Sequence, residues 1–125
     1  MDTIDLKLIN TNKMSENNLE WNDFKKVDMR VGTVVQAEIF EEVKNPALKL
    51  WVDFGEIGTL KTSAQISEKY TPESILNKQV IAVVNFPPKQ IANIMSECLI
   101  LGALDENGVI VISPDMEVAN GTKIS

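Results

Sequence analysis

The sequence predicts an all-β domain, a five-stranded Greek-key barrel with short helices and a C-terminal β extension. Three observations lead there. "LKLWVDFG" alternates Leu48, Leu50, Val52 and Phe54 with Lys49, Trp51 and Asp53, the period of a half-buried strand. Runs rich in β-branched residues recur at "RVGTVVQAEIF", "VIAVVNF" and "VIVI", each bounded by turn residues. The length of 125 residues suits one core rather than two.

The elements follow in order. Residues 1–20 are expected to be a flexible N-terminal tail, polar and with weak alternation in "DTIDLKLI", and residues 21–125 the folded domain. "NNLEWNDFKKVDM" spaces Leu19, Trp21, Phe24 and Val27 as an amphipathic helix does, and its expected task is to cap one end of the barrel. In the first strand Val31, Thr33 and Val35 should share one face and Val34 the other, and Gly32 suggests a bulge or tight bend. After the polar loop "EEVKNPA", the segment from Leu48 to Ile66 reads as a hairpin turning at "EIG". Thr71-Pro72 starts a short helix, because proline at the first helical position gives up no hydrogen bond. "VIAVVNF" is the fourth strand and "ECLILGAL" the fifth; "DENG" turns into "VIVI", and Asn120-Gly121 marks a late turn. A helix between the third and fourth strands is the order of an OB-fold, although a β-sandwich or an SH3-like barrel accommodates the same strand count.

Composition narrows the chemistry. With no histidine and one cysteine, the chain has poor means to build a zinc site or a nucleophile–histidine pair, and no phosphate-binding glycine loop is present. The acidic pairs Glu41-Glu42 and Asp105-Glu106 read as solvated loop charge, so no enzyme, metal or cofactor is expected. Cys98 lies within the apolar run "CLIL" and reads as a buried, inert thiol. A net charge of −6 disfavours nucleic-acid binding over a large face but leaves room for a local basic patch. No apolar run approaches the roughly 20 residues of a membrane helix. Asp2 and Asp5 stand where a secretion signal has basic residues, so a cytoplasmic location is expected.

The stretch "VNFPPKQIANIMSECLIL" breaks an apolar run with Pro87-Pro88, which cannot donate ladder hydrogen bonds, so the fourth strand must leave the sheet at Phe86. A rigid crossover loop with polar, solvated residues accounts for it on its own. Ile94 and Met95 fit either a core or an apolar groove.

In order and spacing, "DFKKVDMRVGTVVQAE", "NPALKLWVDFGEIG", "TSAQISEKYTPESILNKQVIAVVNFPPKQIA", "SECLILGA" and "NGTKI" resemble the tRNA-binding OB-fold domains. These occur as EMAP-like modules, at methionyl-tRNA synthetase C-termini and as free-standing CsaA-like proteins; the CsaA-like members are the nearest in pattern. The resemblance implies a homodimeric OB-fold protein with no membrane insertion, an export-related chaperone for unfolded preproteins that also binds tRNA. Its alternative is a structure-selective tRNA-binding protein without a chaperone role. Carried over residue by residue, it implies tRNA-binding positions at Ser63, Asn85, Lys89, Ser96 and Glu97, while the residues themselves place Phe86, Ile94 and Met95 near the crossover as apolar surface for a peptide. Asn93 stands where the family has glycine, and Gln90 and Met95 where it is often basic. Asn93 is expected to keep a left-handed turn.

Overall fold

The computed structural model describes residues 17–125. Most of the expected tail therefore lies outside the described residues. Helix α1 (Trp21–Lys25) opens with a capping box in which Glu20 and Asp23 satisfy each other's backbone N–H groups. It does not plug the barrel: none of its residues is buried, and Trp21 is 69% exposed. A five-residue helix has too few turns to bury an apolar stripe against a sheet.

Strands β1 (Met29–Ile39), β2 (Leu48–Asp53), β3 (Thr59–Ala64) and β4 (Gln79–Val83) pair antiparallel, and the short β7 (Leu99–Ile100) completes one sheet in the order β3-β2-β1-β4-β7. The result is a nearly closed all-β barrel of the OB type. β2 buries Leu48, Leu50 and Val52 as its alternation predicts, and Phe54 follows them into the core. A 3-10 turn at Gly55–Ile57 closes the β2–β3 hairpin. In β1 the bulge falls between Val34 and Gln36 rather than at Gly32. Before the bulge Gly32 and Val34 share the core face and Val31 is buried on the other; the extra residue then turns Ala37 rather than Gln36 to the core, with Val35 left half exposed. Gly32 keeps regular register with Val80, and its hydrogen is needed for space: a Cβ there would stand 2.6 Å from Val52 and 2.7 Å from the Phe54 ring.

The plug is the second helix, α2 (Pro72–Ile75), whose Thr71 cap accepts from the Ser74 N–H and whose Ile75 is fully buried. The expected fifth strand divides at Leu101. Leu101 N–H still bonds Ile81, but the chain then leaves as β8 (Gly102–Asp105) and returns as β9 (Gly108–Val111), and Ile112 accepts from the Ile81 N–H while donating to the Leu101 carbonyl. The C-terminal segment lies along the start of β1. Gly121 and Ile124 donate to Val31 and Met29, while Val31 donates to Thr122.

The largest difference lies where the double proline interrupts the chain. Beyond it, β5 (Lys89–Ile91) and β6 (Ile94–Ser96) form a two-stranded ribbon rather than a loop. Ala92, not Asn93, takes the left-handed backbone at the tip, with φ 49°. Ile94 is buried with Phe40 and Ala47, and Val43 and Ile91 pack on the same small cluster. That cluster ties the ribbon to the β1–β2 loop and fixes its position beside β3.

Candidate binding cleft

β3 is an edge strand of the sheet, so the barrel must close along it. No continuous ladder does this; Ser96 and Glu97 do, by side-chain and backbone bonds together. Lys61 N–H donates to Glu97 Oε1 and Glu97 N–H to the Lys61 carbonyl, both at 2.8 Å. The buried Thr62 hydroxyl gives its proton to the Cys98 carbonyl at 2.7 Å, leaving its oxygen to accept from Ser96 Oγ at 3.0 Å. Ser96 Oγ in turn accepts from Ser63 N–H at 3.3 Å.

Below this seam the wall opens into a cleft of about 340 Å³. Ser63 and Gln65 line it from the β3 edge, Phe86 and Pro87 from the proline turn, Lys89, Ile91 and Ser96 from the ribbon, and Cys98 and Leu99 from the far side. Lys89 and Ser96 are cross-strand partners, as are Ile91 and Ile94, so alternation aims both pairs at the barrel. Phe86 is 56% and Leu99 50% exposed. No carboxylate lines the cleft, and Lys89 supplies its one positive charge.

Of the residues singled out from the sequence, Ser63, Phe86, Lys89 and Ser96 meet here. Asn85, Glu97 and Met95 lie elsewhere. Asn85 commits both ends of its amide, accepting from Asp28 N–H at 3.0 Å and donating to the Lys26 carbonyl at 2.7 Å, so it clamps the turn between α1 and β1. Glu97 belongs to the seam. Met95, paired with Gln90, occupies the opposite face of the ribbon. Sequence reasoning missed Gln65, Ile91 and Leu99.

Cys98 is buried, as its apolar setting predicts. Burial pushes its thiol from 9.0 up to about 12; the Glu97 charge adds to the rise and the Thr62 hydroxyl opposes it. Because the folded value is the higher one, the stabilisation linked to this thiol is complete below pH 9 and is lost as the pH climbs toward 12. Denaturation midpoints should therefore fall more steeply over that window in this chain than in Cys98→Ala. Parallel curves for the two proteins would contradict the assignment. Among the described residues, no cluster of metal-ligating side chains is found and no helix is long and apolar enough to cross a membrane.

Residues 29–123 match the family model described as "Putative tRNA binding domain". The chain belongs to this family. It is similar to the methionine–tRNA ligases of Methanococcoides burtonii, 35% identical over 107 residues and 85% of this chain, and Helicobacter pylori strain J99, 36% identical over 110 residues and 88% of this chain. It spans only 16% and 17% of the length of those enzymes. The solved structures of the chaperone CsaA from Bacillus anthracis and from Picrophilus torridus are each 47% identical to it. Each covers 86% of this chain, with 98% and 99% of their own chains matched and TM-scores of 0.82 and 0.81. The chain is thus a CsaA-like member of the tRNA-binding-domain family, and the domain it shares with the ligases is a small part of them.

Proposed function

We propose that the chain is a CsaA-like molecular chaperone, a cytoplasmic homodimer that holds unfolded polypeptides before export, with tRNA-binding capacity in the same cleft. The observation that carries this reading is the cleft's lining: exposed Phe86 and Leu99 with Ile91 offer apolar contact, and polar groups of Ser63, Gln65 and Ser96 border them. Burial of an unfolded chain's apolar side chains there supplies the affinity. The likeness to the CsaA chaperones of Bacillus anthracis and Picrophilus torridus over nearly their whole length supports it.

Lys89 favours tRNA binding as a second reading, since the cleft holds a cation and no carboxylate to compete for a phosphate. For the dimer, Leu19, Trp21, Leu104 and Met116 leave apolar surface exposed beyond what a barrel covers. A monomer mass by light scattering at micromolar concentration would remove that part.

Two substitutions separate the readings. Leu99→Arg should weaken suppression of aggregation of a chemically unfolded client and reduce binding of an apolar peptide about tenfold. Lys89→Glu should weaken tRNA binding and lower its salt slope by about one. If neither substitution changes either activity, the cleft is not the site.

A further inference from the structure

We infer that the cleft receives an extended polypeptide as an added strand on the edge of β3, bonded through its backbone to Ser63 and Gln65. The inference rests on the polypeptide-binding reading above and gives that reading its geometry. In an edge strand, alternate residues turn their N–H and C=O groups away from the neighbouring strand. Along β3 those residues are Thr59, Lys61 and Ser63; Gln65 follows past the strand end, at the centre of a turn that the Ile66 N–H closes on the Ala64 carbonyl. Glu97 satisfies both backbone groups of Lys61, and Ser96 Oγ satisfies the Ser63 N–H. Glu97, through one backbone and one side-chain bond, and the Ser96 hydroxyl thus imitate a neighbouring strand at Lys61 and Ser63.

The imitation stops where the cleft opens. Among the described residues nothing pairs with the backbone N–H or C=O of Gln65. The Ser63 carbonyl meets only the Thr62 hydroxyl, at 3.4 Å, and that hydroxyl has a much shorter bond to Cys98. Ser63 and Gln65 both line the cleft, and between them one acceptor of Ser63 and the donor and acceptor of Gln65 are left for an incoming backbone. Polypeptide backbone presents donors and acceptors in this alternation; a nucleic-acid backbone carries phosphates and no N–H groups. Side chains on the cleft side of an added strand meet Phe86 and Leu99, both half exposed and apolar. An unfolded chain of almost any sequence supplies the backbone, and the apolar wall selects segments with large hydrophobic residues.

The test is an N-methyl scan, which deletes one peptide N–H at a time and leaves the protein unaltered. A short fluorescein-labelled synthetic peptide with leucine at alternate positions is titrated with the whole protein by anisotropy, then each singly N-methylated version. Added-strand binding predicts that methylation at two amides, two residues apart, each lowers affinity about tenfold, whereas methylation of the amide between them changes little. A flat scan with the parent peptide still bound would overturn strand addition and leave side-chain docking in its place. No binding of the parent peptide, with tRNA still bound, would instead overturn the polypeptide reading itself.

Discussion

Replacing Gly121 with valine is expected to destabilise the domain by about 3 kcal/mol or more. Gly121 has φ 91°, a backbone conformation that a β-branched residue adopts only under strain, and a Cβ there would stand 2.5 Å from the Phe54 carbonyl oxygen. The obstacle is backbone, so no rotamer change relieves it. Gly121 also donates to the Val31 carbonyl at 2.7 Å and accepts from the Arg30 guanidinium at 3.1 Å, which anchors the C-terminal segment to β1. Urea denaturation should show the midpoint drop, while Lys123→Ala, an exposed neighbour on the same segment, should leave it within about 0.5 kcal/mol. Equal midpoints for Gly121→Val and the parent would mean that this turn is not under the constraint described.

Thr62→Val is the second large effect, expected at about 2 kcal/mol. The substitution keeps the shape of the side chain but removes the hydroxyl that donates to Cys98 and accepts from Ser96. The Cys98 carbonyl loses a short bond in a buried place, so its desolvation goes uncompensated. Thr62→Ser retains the hydroxyl and should recover much of the loss. The effect should also be local. Amide hydrogen exchange should speed up first at Lys61 and Ser63, whose N–H groups are capped by residues the Thr62 network positions. A Thr62→Val protein of unchanged stability and exchange would show that the seam closes without this hydroxyl.

Elements governed by local periodicity and turn chemistry were legible in the sequence. The alternation in Leu48 to Phe54 and the Thr71-Pro72 helix start stand where they were expected, because each depends on neighbours in the chain. The bulge was not legible: one extra residue between Val34 and Gln36 reverses the faces beyond it, turning Ala37 to the core, and only pairing with β2 reveals it. The ribbon of β5 and β6 was hidden for another reason. Its tip, Ala92-Asn93, lacks the glycine that marks a two-residue hairpin, and each strand has only three residues. The break of the fifth strand at Leu101 depends on Ile112 returning to the same β4 residue from far along the chain.

The candidate site divides in the same way. Ser63, Lys89 and Ser96 were named from family resemblance and Phe86 from the apolar character of the crossover, and the fold gathers all four around one cleft. Asn85 and Glu97 are polar residues in the same stretch whose side chains serve the fold. Gln65 and Leu99 gain meaning only once β3 is known to be an edge whose hydrogen bonds run out at the cleft. An unpaired backbone group has no signature in residue type.

The central claim, that unfolded polypeptide binds between the β3 edge and the β5–β6 ribbon, is tested most directly by titrating the isotope-labelled protein with the leucine-alternating peptide and following each backbone amide by NMR. The largest shifts are expected at Ser63, Gln65, Phe86, Lys89 and Leu99, with the Gln65 amide moving downfield as it gains a hydrogen bond. Shifts confined to Leu19, Trp21, Leu104 and Met116, with the cleft amides unmoved, would contradict it.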